Sequence, residues 1–134
     1  MVSFATMAEF TNIALKRLYE LWRSGDVEAI TQAFPSGLTF EIKGQSVLAG
    51  KRDLSGFSRL LGSLKELSAG TFEHEIHDIL SSDRHAMVLA TCRLVRGGKP
   101  IEYRTVHVWR LESGLPIAGY EYLRDQYQFD QIWS

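Results

Sequence analysis

Four runs with strand character crowd the second half of this chain, and the stretches between them are too short to hold anything but turns. The runs are Thr71 to Leu80, Ala86 to Val95, Ile101 to Leu111 and Ile117 to Leu123. Ser81-Ser82-Asp83, Arg96-Gly97-Gly98-Lys99-Pro100 and the segment from Glu112 to Pro116 separate them and are rich in turn formers. A parallel return needs a long crossover, so strands joined this tightly pair antiparallel. The second half is therefore expected to be a meandering sheet, and such a sheet needs cover on at least one face.

The first half supplies the cover. Between Glu9 and Arg23, the residues Phe10, Ile13, Ala14, Leu18, Leu21 and Trp22 recur at three- and four-residue spacing, which predicts a helix with these on its buried side. Ser24-Gly25-Asp26 interrupts it, and Asp26 can cap a second helix that buries Val27, Ile30, Ala33 and Phe34. Pro35-Ser36-Gly37 stops that helix. Leu38 to Lys43 then alternates as a half-buried strand, with Leu38, Phe40 and Ile42 on one face. A third helix from about Lys51 to Leu67 aligns Leu54, Phe57, Leu61 and Leu64, while Gly56 and Gly62 make it depend on packing. The expected class is α+β, with three N-terminal helices over one concave face of a mainly antiparallel sheet.

Several function classes fall away on composition. A chain of 134 residues fits one domain, and a net charge of -1 gives no general attraction to nucleic acid. Cys92 is the only cysteine, so neither a disulfide framework nor a thiol zinc site is available, and it reads as a small buried packing residue. The N-terminus lacks a basic start followed by an export-length apolar core, and no stretch approaches membrane-spanning length. A cytoplasmic protein without a membrane partner is expected. Neither GxGxxG in a strand-to-helix setting nor a GxSxG elbow is present, so no cofactor is expected. In Glu73-His74-Glu75-Ile76-His77-Asp78, the two histidines sit three apart and should point to opposite faces of a strand, with His74 aligned with Asp78. No metal site is expected there.

The chemistry concentrates on the last two strands. Tyr103, Thr105, His107, Trp109 and Leu111 share one face; Glu102, Arg104, Val106, Val108 and Arg110 share the other. Across the turn, Gly119, Glu121 and Leu123 share a face, while Tyr120 and Tyr122 take its opposite. Glu121 can therefore stand beside His107. Burial raises a carboxyl pKa and a neighbouring imidazolium lowers it, so such a pair can move protons or simply satisfy itself in an apolar core. Expected pocket residues are Tyr19 and Trp22 near the first helix end, Phe40 and Ile42, Phe57, Tyr103 and Trp109. Arg93 joins them as a donor for an anionic oxygen.

LWRSGDVEAITQAF, HEIHDILSSDRHAMVLATCRL and VHVWRLESGLPIAGYEYLRDQYQFDQIW carry a resemblance across nearly the whole chain. It resembles the nuclear transport factor 2-like superfamily, more closely the SnoaL-like polyketide-cyclase and ketosteroid-isomerase-like branches. The resemblance implies a single cone-shaped domain over residues 1–134, with a pocket between curved sheet and helices and dimerisation through the sheet. It also implies a catalytic histidine on the penultimate strand and an aspartate on the last. His107 matches the first, and Glu121 matches the second with glutamate for aspartate. The steroid-isomerase positions fall on Ile42, near Leu18 and near Val106, so that mechanism is not expected. The epoxide-hydrolase arrangement needs an acid beside Arg93, and Ala86 to Val95 contains none.

Two functions remain. One is a cofactor-independent isomerase or cyclase-like enzyme acting on a small hydrophobic carbonyl compound through His107 and Glu121. The other is a non-catalytic ligand-binding or homo-oligomeric assembly domain, in which the two hold each other. Phe129, Ile132 and Trp133 read as a terminal lid over the chain's own core. Arg104, Val106 and Val108 are the expected homodimer face, with Arg110 nearer its edge.

Overall fold

The computed structural model describes residues 4–134, with side chains from Met7 onward. Met1 to Ser3, where an export leader would begin, lie outside the described residues. Helices α1 (Phe4–Ser24) and α2 (Val27–Ala33) precede strands β1 (Thr39–Ile42) and β2 (Gly50–Asp53). Helix α3 (Leu54–Leu67) leads into β3 (Glu73–Ser81), β4 (His85–Arg96), β5 (Lys99–Glu112) and β6 (Leu115–Leu123), and α4 (Gln126–Ile132) ends the chain. The six strands form one sheet in the order β2-β1-β6-β5-β4-β3. Every neighbouring pair is antiparallel except β1 with β6, whose connection runs through most of the chain.

Local chemistry explains the boundaries. Asp26, Asp53 and Asp125 each accept an amide from the first turn of the following helix, at 3.0, 2.8 and 3.0 Å. Each such cap contributes about 1 kcal/mol. The Asp53 cap starts α3 at Leu54 and frees Gly50–Asp53 to pair with β1, a strand that helical periodicity had absorbed into the helix. The β5–β6 turn is made by Ser113 and Gly114, both at positive φ, which matches the right-handed twist of the strands it joins.

Helix α1 is rotated from its expected orientation. Leu15, Leu18, Tyr19 and Thr11 are buried, whereas Phe10 and Ile13 are 53% and 71% exposed. The inner sheet face, α1, α2 and α3 enclose a packed core of Phe34, Phe40, Phe57 and Trp109, all nearly inaccessible. Helix α4 closes one end, with Phe129 and Trp133 fully buried. Arg96 fastens it by donating to the carbonyls of Ile132 and Ser134 and lying over the Trp133 ring. The C-terminal aromatic run is thus a cover over its own core. Among the described residues, no helix is long and apolar enough to cross a membrane.

Candidate active site

His107 and Glu121 face each other across β5 and β6 as a registered pair. His107 is 1% exposed and the Glu121 side chain 9%, and His107 Nε2 lies 2.9 Å from Glu121 Oε2. The rest of the network fixes which nitrogen carries the proton. Trp109 Nε1–H can only donate, and it donates to the Tyr19 hydroxyl oxygen at 3.2 Å. The Tyr19 hydroxyl in turn lies 2.6 Å from His107 Nδ1. Unless Tyr19 donates to Nδ1, its proton has no acceptor among the described residues. Nδ1 is therefore the accepting nitrogen, and Nε2–H donates to Glu121. Thr105 Oγ1–H donates to the same carboxylate oxygen at 2.8 Å.

One oxygen of Glu121 is thus held by two donors. The other, Oε1, takes no hydrogen bond from the described residues, yet it is not sealed from solvent. Among the described residues, the only fully buried side-chain nitrogen or oxygen without a partner is Trp133 Nε1. That indole N–H sits beside the Tyr103 hydroxyl without being aligned on it. Burial pushes the Tyr19, Tyr103 and Cys92 acids well above their ordinary values, and the Glu121 charge pushes each further.

The expected pocket residues divide into three groups. Phe40, Ile42, Phe57 and Trp109 are buried in the core around His107, where they fill space rather than line an open cavity. Tyr19 lines a groove of about 640 Å³ between α1 and β3, and Trp22 lines a neighbouring cavity of about 140 Å³. Tyr103 borders a shallow groove beside α4. Arg93 borders the same groove as Tyr19. Its strand neighbour Cys92 faces Tyr103 inside, whereas Arg93 pairs with Glu102 outside and is bridged to Glu75 at 2.5 Å and Glu102 at 3.0 Å. It sits on the opposite sheet face from His107.

His74 is the residue sequence reasoning missed. A bulge between Ile76 and Asp78 reverses the alternation of β3. His74 and Ile76 consequently turn inward on one side of it, and Ile79 and Ser81 on the other, so His74 does not align with Asp78. His77 faces out and bonds Thr91 at 2.6 Å. Among the described residues no three metal-ligating groups converge. The His74 ring meets Trp22 edge-on at 4.4 Å and lies 5.9 Å from the His107 ring. Burial, then the neighbouring His107 and Arg23, holds its pKa well below the ordinary histidine value.

This depression makes a stability prediction. The unfolded chain protonates His74 near pH 6.5, whereas the folded chain does so only at much lower pH, so between those values the unfolded state binds more protons. Stability must fall as pH drops below about 6.5, by up to roughly 1.4 kcal/mol per pH unit from this group. Urea unfolding at pH 7.5 and 5.5 should show a larger loss in the parent than in His74→Phe. Equal losses would show that His74 is not held neutral by the fold.

Residues 15–118 match the SnoaL-like domain family. The structure is similar to that of Bal32a from a soil-derived mobile gene cassette, with a TM-score of 0.89 and 25% identity over 96% of this chain and 99% of that one. It is also similar to IdmH of Streptomyces antibioticus, proposed to be a polyketide cyclase, with a TM-score of 0.74 and 15% identity over 91% and 97% of the two chains. An LEH-like epoxide hydrolase of M. tuberculosis gives 0.70 and 18% over 94% and 90%. Cyclase-like proteins, epoxide hydrolases and proteins of unknown function therefore share this fold. A search of curated proteins found no match.

Proposed function

We propose, from the premise that this chain belongs to the SnoaL-like domain family, that it is a cofactor-independent proton-transfer enzyme of the isomerase or cyclase-like kind. Its substrate is a small hydrophobic carbonyl compound. The observation that carries this reading is the asymmetric hold on Glu121: two donors fix Oε2, and Oε1 is unpaired. A carboxylate so oriented is built to use its second oxygen as a base. Oε1 removes a proton from the carbon next to the carbonyl, the C–H electron pair moves into the enolate, and the carboxylic acid returns the proton at another position. His107, set by Tyr19, keeps the carboxyl in place.

Solvent deuterium exchange into a panel of ketones, acids and esters tests this, with Glu121→Gln as the control. Exchange above background in the parent and not in the variant is the expected result; equal exchange in both rejects Glu121 as the base.

A second reading, a non-catalytic ligand-binding domain, rests on a different observation. Neither His107 nor Glu121 lines any of the five cavities described. Saturable ligand binding without exchange across that panel is its signature.

A homodimer through the outer sheet face belongs to the same proposal. Met87, Val108 and Tyr120 lie side by side across β4, β5 and β6, and Leu89, Val106 and Tyr122 form the next row. Met87 and Tyr122 are 40% and 59% exposed, so this apolar face is uncovered in the single chain. Sedimentation should give the mass of two chains for the parent and one for Val106→Asp, which puts a charge at the centre of the patch. A parent of single-chain mass at working concentration rejects the dimer.

A further inference from the structure

From the groove between α1 and β3 we infer that the ligand binds in this opening and that His74, at its inner end, reads a hydroxyl group on it. The inference rests on the proton-transfer reading and adds to it where the ligand sits. A groove of about 640 Å³ is of the size that holds small-molecule ligands. Its helix wall carries Lys16, Tyr19 and Arg23, and its strand wall carries His74, Ile76 and Ile79. Two of these, Tyr19 and His74, are also the neighbours of His107, one through a hydrogen bond and one through ring contact. The groove therefore ends one side chain short of the buried pair.

His74 is a deeply buried imidazole in that lining. Its carbonyl accepts from Arg23, but its ring nitrogens make no hydrogen bond with the described residues. Trp22, Phe72 and Tyr19 hold the ring edge-on at 4.4, 4.9 and 5.6 Å, so its orientation is set by packing alone. A neutral imidazole offers one donor and one acceptor. Both fit a hydroxyl group, which can accept from one nitrogen or donate to the other. The ligand class is therefore a carbonyl compound that also carries a hydroxyl, and the hydroxyl is the group that meets His74.

The probes are 4-hydroxyacetophenone and acetophenone, which differ by that hydroxyl. Calorimetric titration should show the hydroxylated compound binding about tenfold more tightly to the parent, the worth of one buried hydrogen bond. In His74→Phe, which keeps an aromatic ring and removes both nitrogens, the ratio should collapse toward one. Because the readout is a ratio within one protein, a general loss of stability does not imitate it. As a second measurement needing no variant, the His74 ring nitrogen signals should shift on titration of the parent with 4-hydroxyacetophenone. No preference in the parent, no binding of either compound, or a preference unchanged in His74→Phe overturns the inference. Methyl-proton exchange of the same ketone separates it from the underlying reading. Exchange that needs Glu121, with binding blind to His74, sinks the groove alone; His74-dependent binding with exchange equal in parent and Glu121→Gln sinks the proton-transfer reading alone.

Discussion

Glu121→Gln is expected to lower proton exchange by about 10²–10⁴-fold, the contribution of a positioned general base, while leaving the fold intact. The amide is close to isosteric with the carboxylate. Its oxygen can take the Oε2 position and still accept from His107 Nε2–H and Thr105 Oγ1–H. The NH₂ group then occupies the Oε1 position, where no described residue donates to it and it cannot act as a base. The substitution removes the chemistry and keeps the hydrogen bonds. If the pair is only structural, the same change leaves both stability and exchange unaltered. Exchange and thermal unfolding should therefore be measured on one preparation. Loss of exchange accompanied by a collapse in melting temperature would be damage to the core, and exchange at parental rate would end the catalytic role of Glu121.

The pair was legible from sequence because its information is local. Alternation on two strands joined by a short turn places His107 and Glu121 on the same face, and the observed register brings them opposite. Three neighbours show where such reasoning stops. His74 was turned inward by a bulge, which local composition did not reveal. Arg93 stands on the more polar face of β4, with His85 and Thr91, and alternation turns it outward, as its pairing with Glu102 agrees. That it still borders the α1–β3 groove is decided by tertiary packing. In α1, the exposed Phe10 and Ile13 competed with Leu15 for the same periodic pattern. Only packing against the sheet selects the rotation that brings Tyr19 to His107.

Gly119→Ala is expected to give the largest stability loss of any single methyl added to the inner sheet face. This glycine is not required by backbone shape, since it is absent from the positive-φ residues. What it supplies is space. It pairs with Trp109 on one side and Phe40 on the other, and both rings lie over it. An added Cβ would stand 2.6 Å from Phe40 Cδ2 and 2.7 Å from Trp109 Cε3, inside the approach that real Cβ atoms tolerate. Neither ring has room to retreat, because Phe34 and Phe57 pack behind them with ring centroids 5.5 and 6.2 Å from that of Trp109. Overpacking of this kind costs about 1–3 kcal/mol or more, and a chain of this size loses a few degrees of melting temperature for each kcal/mol, roughly 2–8 °C. The damage should extend to the site. If Trp109 shifts, its N–H leaves Tyr19, and the phenol loses one of the two contacts that hold it on His107. Pairing Gly119→Ala with Trp109→Leu, which vacates the contested volume, should then recover part of the lost melting temperature without recovering exchange. A Gly119→Ala protein that melts with the parent would mean that the core at this point is loose enough to admit a methyl group, and that Trp109 does not position Tyr19 by packing.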